Sequence, residues 1–136
     1  MTKQIFVNLP VKDLKKSIDF FTQIGYTFNP KFSDDTGTCM IISHTIFVML
    51  LTEAKFKEFT KKPLADAHKT TEIIIALNAD NKDAVDEIVN KAITSGGTTY
   101  AEPTTHGDWM YQRSFADLDG HQWEYFFMDE SKFPQQ

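Results

Sequence analysis

The sequence predicts an α+β fold of two βαβββ modules, in which curved antiparallel sheets surround a groove and the helices lie outside. Three observations lead there. Several segments alternate apolar and polar residues with a period of two, two others carry an apolar stripe at helical spacing, and comparable landmarks recur about 70 residues apart, as an old internal duplication would leave them. A chain of 136 residues is expected to form one domain, with module one at about 3–52, a link at about 53–70 and module two at about 71–129. Such a length buries about two-thirds of its unfolded surface, so no disulfide or metal staple is needed.

Ile5, Val7, Leu9 and Val11 alternate with Phe6, Asn8 and Pro10, which predicts the first strand. Asp13 can cap a helix over 14–24 whose stripe is Leu14, Ile18 and Phe21, widened by Phe20 and Ile24, and Gly25 stops it. Strands follow at 26–32, 38–43 and 45–51, separated by the turn-forming residues 33–37 and 43–44. A polar helical link over 53–62 ends at Pro63, and 64–69 is a loop. The second module repeats this order. A strand at 72–78 leads to an Asp80/Asn81 cap and a helix to about residue 95, with Val85, Ile88, Val89 and Ala92 inward and Gly96-Gly97 at its end. Strands at 98–102, 109–116 and 122–128 complete it, the last two joined by the hairpin turn 117–120.

Hydrophobic residues at 41% and charged residues at 24% place the chain with folded globular proteins rather than disordered ones. A net charge of −5, with no Lys/Arg cluster interleaved with aromatics, excludes the electrostatic footprint of a nucleic-acid binder. No apolar stretch has membrane length and residues 1–9 are too short and polar for a signal peptide, so a cytoplasmic protein is expected. The single cysteine, Cys39, agrees with a reducing compartment and reads as a small residue inside a strand.

The run VKDLKKSIDFF at 11–21 and the run DLDGHQWE at 117–124 carry a resemblance. They are similar to the strand-to-helix passage and the D-P-D-G-x-x-x-E hairpin of the vicinal-oxygen-chelate superfamily, which contains glyoxalase I, bleomycin-resistance proteins and extradiol dioxygenases. Leu118 stands where proline is usual. The likeness covers nearly the whole chain and looks closest to a bacterial branch of glyoxalase-like proteins, the predicted lactoylglutathione lyases. In metal-dependent members it implies one His or Glu ligand from each of four strands, holding a divalent ion that chelates adjacent substrate oxygens. Carried over, those positions fall on Phe6, Leu50, Ile74 and Glu124, and Glu124 alone is of ligand type. Tight metal binding needs several converging N or O donors, so no metal ligand set and no cofactor are expected, a divalent ion being the less favoured alternative. By analogy with the family a homodimer is expected.

If Glu124 faces the groove, strand parity adds Phe6, Asn8, Ile46, Val48, Leu50, Glu72, Ile74, Ala76, Gln122 and Phe126, leaving Val7, Leu9, Phe47, Met49, Ile73, Ile75 and Leu77 to pack on the helices. An apolar cavity with two acids and two amides suits a small ligand with an apolar body and a cationic or donating head. Glu124 reads as a ligand contact or general base, or else as a structural partner of Arg113. Glu72 and Asn8 are ligand contacts or ordinary strand-end and strand polar groups. Arg113 either binds an anionic group or pairs internally with Glu124. The segment 104–111, with His106, Trp109 and Tyr111 beside Gly107, reads as a lid over the site or as a surface loop with packing aromatics. His44 and His68 lie at turns without the i, i+4 spacing of a helical metal pair, His121 follows the hairpin glycine on the helix side, and the lysines of 55–62 read as a solvated face. Three functions follow as expectations: a small-molecule-binding protein without the usual metal site, sequestering or catalytic; a metal-dependent lyase or isomerase in which Glu124, Glu72 and His106 or a second subunit assemble an unorthodox site; and a module binding a peptide strand in its groove.

Overall fold

Asp13 has extended backbone and its carboxylate accepts the Lys16 amide at 3.1 Å, so in the computed structural model, which describes residues 1–133, helix α1 (Leu14–Ile24) starts where the cap predicts. Gly25, at φ 121°, ends it by donating to the carbonyls of Phe21 and Thr22. Around it lie β1 (Ile5–Val11), β2 (Thr27–Asn29), β3 (Gly37–Ile41) and β4 (Ile46–Thr52), followed by the one-turn α2 (Glu53–Phe56). The strand expected at 26–32 stops at Asn29, whose side chain caps a 3-10 turn over Pro30–Phe32 because Pro30 cannot continue the ladder. The second module has β5 (Ile74–Asn78), α3 (Lys82–Thr94), β6 (Thr104–His106), β7 (Met110–Ala116) and β8 (Gln122–Met128), with Asn81 capping α3 through the Ala84 amide at 2.8 Å. The residues divide into two compact units, Met1–Ala65 and Asp66–Gln136.

Each unit holds one four-stranded, unclosed sheet, ordered β1-β4-β3-β2 in the first and β5-β8-β7-β6 in the second. Neither is purely antiparallel, as the sequence reading expected: β1 runs parallel to β4 and β5 parallel to β8. The reason lies in the connections. A helix returns the chain parallel to its first strand, two antiparallel connections then reverse it twice, and the last strand comes to lie beside the first in the same direction. A second correction concerns 98–102, which is no strand: Thr98 makes an isolated bridge to Ala116, and the edge strand is β6 within the segment read as a lid. The helical link shortens to α2 and a 3-10 turn over Lys57–Phe59.

In the first unit one row of side chains is almost wholly buried: Leu9, Val11, Thr38, Met40, Val48 and Leu50, together with Leu14, Ser17, Phe20, Phe21 and Ile24 of α1. In the second unit Phe115, Trp123 and Tyr125 stack under Val85, Val89 and Ala92 of α3. The hairpin before β8 is built on Asp117, whose Oδ1 accepts the amides of Asp119 and His121 while Oδ2 accepts the Trp123 indole N–H at 3.0 Å. Gly120 combines φ 85° with a close approach, since a Cβ there would stand 2.7 Å from the His68 nitrogen. No helix among the described residues is long and apolar enough to cross a membrane.

Candidate ligand site on the second sheet

Side-by-side residues of neighbouring strands share a face, so the ladder fixes every orientation. In the second sheet Ala76 lies opposite Glu124 and Ser114 on its other side, with Ile74 beside Gln122 and Ala116, and Asn78 beside Phe126 and Gln112. These form the face that α3 leaves bare. Glu124 is thus a half-buried carboxylate in the middle strand pair, and among the described residues no hydrogen bond or ion pair reaches it. Gln122, Ile74 and Phe126 fall on this face as expected. Glu72 stands ahead of β5, exposed and outside the ladder.

Arg113 and Tyr111 are turned the other way. Their cross-strand partners are Tyr125 and Phe127, and both reach the exposed side of α3, where Arg113 donates to Asp86 Oδ1 at 3.0 Å and to Asn90 Oδ1 at 3.0 Å. Tyr111 donates to the same Asp86 oxygen at 2.5 Å. Arg113 is therefore no partner of Glu124. Strand alternation separates positions 113 and 124 once the hairpin pairs 114 with 124. Trp109 belongs to the β6–β7 hairpin, its ring 5.7 Å from His106 and 4.6 Å from Phe133, and its carbonyl accepts the Asp129 amide at 2.7 Å. The expected lid is a laddered hairpin.

In the first unit Phe6 and Phe47 are direct partners with rings stacked at 4.7 Å, so Phe6, Asn8, Phe47, Met49 and Leu51 share one face. Leu50 pairs with Leu9 on the opposite face and is 0% exposed. The readings that put Ile46, Val48 and Leu50 beside Phe6, and Phe47 and Met49 under the helix, are therefore reversed. Phe6 and Asn8 remain exposed.

Two groups escaped the sequence reading. Ser114 is the cross-strand neighbour of Glu124, and the hairpin turn alone would have given it, since pairing 116 with 122 sets 114 against 124. Tyr100 was hidden by the expected strand at 98–102; its hydroxyl reaches the Trp123 carbonyl at 3.4 Å. Burial pushes the Tyr100 phenol above the ordinary tyrosine range; the Ser114 side chain pulls against this and the Glu124 charge adds to it. At the end of the same face a cavity of about 490 Å³ is lined by Asn78, Asp80, Phe126, Met128 and Glu130, among others. The Cys39 thiol is buried and pushed up by desolvation, which makes it inert.

The metal cage implied by the resemblance does not fit these residues. Phe6 and Ile74 are hydrocarbon, Leu50 is on the far face, and its neighbours Met49 and Leu51 offer no nitrogen or oxygen donor. Among the described residues no group of three or more His, Cys, Asp or Glu side chains could hold an ion.

The family model of the Glyoxalase/Bleomycin resistance protein/Dioxygenase superfamily matches residues 3–125, and the chain belongs to that superfamily. No curated protein matches it. Among solved structures, a hypothetical protein from S. aureus is 28% identical with a TM-score of 0.79, covering 93% of this chain and 94% of its own. A glyoxalase-related enzyme from Fulvimarina pelagi is 17% identical with a TM-score of 0.78, covering 93% and 88%. A fosfomycin resistance protein from Listeria monocytogenes, solved with Mn(II) and sulfate, is 18% identical with a TM-score of 0.70, covering 96% and 94%. The last two likenesses concern the fold.

Proposed function

We propose that this superfamily member binds a small molecule on the bare face of its second sheet, with Glu124 as the polar anchor and without the four-ligand metal site. It acts either by sequestering that molecule or by metal-independent catalysis. The observation that carries this reading is the half-buried, mid-sheet Glu124 carboxylate, which no described side chain pairs. A carboxylate set in the middle of a sheet is best satisfied by a donor, from water or from a ligand, and a ligand's donor is a natural partner. Asp80 and Glu130 at the adjoining cavity, with Arg113 held by Asp86, favour a neutral or cationic head over an anionic one. A thermal-shift screen of small molecules against metal-free protein and Glu124→Gln tests it: stabilising compounds are expected, and their effect should vanish in the variant. Hits that stabilise both proteins equally would remove Glu124 from the site.

The position of Glu124, where the family places a ligand, also supports a second reading, a glyoxalase-type lyase with an unorthodox metal site. It requires hemithioacetal turnover that a chelator abolishes. The exposed Ile5, Phe6, Ile73 and Ile74, at or just before the start of the edge strands β1 and β5, support pairing of two copies. Sedimentation of the purified protein as a monomer at all concentrations would overturn that. The lone buried cysteine supports a cytoplasmic setting.

A further inference from the structure

Ser114 lies on the face that α3 leaves bare and is nevertheless only 4% exposed, so something else covers it. The chain leaves the Thr98–Ala116 bridge and brings Tyr100 back over the sheet, until its hydroxyl meets the Trp123 carbonyl, the group directly preceding Glu124. That bond, at 3.4 Å, is long for an O–H donor, so a closer acceptor would take its place at little cost while the Ser114 side chain stays beside the oxygen. A phenol is protonated near neutral pH, so Tyr100, though 38% exposed, is a donor beside an acceptor: its hydroxyl offers a proton and Glu124 accepts one.

We propose that Tyr100 is the specificity-determining residue of this site, and that with Glu124 it selects a head group carrying a hydrogen-bond donor and an adjacent acceptor, as a primary carboxamide does. This rests on the small-molecule reading above. An amide N–H would donate to Glu124 while its carbonyl accepts from Tyr100. An anionic carboxylate would meet Glu124 with like charge, and a simple ammonium would satisfy Glu124 but leave Tyr100 unused. The apolar body would run along β8 to Phe126, one strand repeat or about 7 Å from Glu124, where the cavity begins. That reach matches one aromatic ring.

Four probes with the same ring separate the possibilities: benzamide, benzylamine, acetophenone and benzoate, each titrated into nitrogen-15-labelled protein and followed by amide shifts. Benzamide should bind most tightly and benzoate least, with shifts centred on Ala76, Tyr100, Ser114 and Glu124. Tyr100→Phe removes the hydroxyl and retains the ring of a 38% exposed residue, so the fold is kept. It should weaken benzamide about fivefold or more while leaving benzylamine unchanged. Glu124→Gln should weaken both. If Tyr100→Phe binds benzamide as well as the parent does, or if benzoate binds best, the role of Tyr100 is overturned while the Glu124 site stands. If no probe shifts this face, or Glu124→Gln alters none of the affinities, the small-molecule reading falls with it.

Discussion

Asp117 and Asp86 are carboxylates of the same unit whose surroundings push them in opposite directions. Desolvation raises Asp117, with His121 and the Trp123 indole pulling it back. The Tyr111 hydroxyl holds Asp86 below the ordinary 3.8, outweighing the cost of burial, and Arg113 adds to it. The signs of their linkage to folding therefore differ. Asp86 stabilises fully above its unfolded value and loses that contribution as pH falls through its lower folded value, so Asp86→Asn should flatten the acid limb of stability in urea titrations below about pH 4. The effect is screened because Asp86 is partly exposed. For Asp117 the unfolded chain gives up its proton first, so stability declines as pH rises through the raised folded value. Asp117→Asn removes that slope but sets an amide N–H or a lost acceptor against the Trp123 indole. A net cost of about 1–3 kcal/mol is expected, with a changed Trp123 fluorescence. An unchanged urea midpoint would mean that the indole has another acceptor.

At the level of strands, legibility depended on how cleanly apolar and polar residues alternate. The run over β1 alternates, and its orientation was readable; β4 reads Ile-Phe-Val-Met-Leu-Leu before its final Thr52, an unbroken apolar run, so a period of two cannot say which side faces the helix. Only the parallel pairing with β1 decides it. Truncation tests that pairing directly: Leu50→Ala should cost about 2–5 kcal/mol, whereas Phe6→Ala, at a position 49% exposed, should cost far less. Equal costs would restore the reversed orientation. In the second module the DLDG turn fixed the hairpin register, and with it Gln122, Glu124 and Phe126. The same turn explains Gly120. Gly120→Ala combines backbone strain of about 1–3 kcal/mol with a clash against the 67–68 backbone, whereas Gly25→Ala meets open space and bears the strain alone. A larger drop in melting temperature for the first is the expected result, and the reverse order would contradict the close approach. Arg113, Tyr111 and Trp109 were chemically plausible site residues whose partners Asp86, Asn90 and Phe133 are remote in sequence, which no local pattern records.

For the molecule as a whole, the duplicated order of elements and two short motifs were enough to place the chain in its superfamily, because they encode caps, turns and a buried hairpin that any member needs. Chemistry was less legible. The family's ligand positions sit on strands that fold the same way whether they carry histidine or phenylalanine, so membership fixes the scaffold and leaves the site to the individual residues. Here those positions carry Phe6, Leu50, Ile74 and Glu124, one carboxylate among hydrocarbon. Calorimetric titration of metal-free protein with manganese, nickel, zinc and ferrous ions tests this most directly. No tight stoichiometric uptake of any of them is expected. One ion bound per chain at submicromolar strength, and lost in Glu124→Gln, would contradict it.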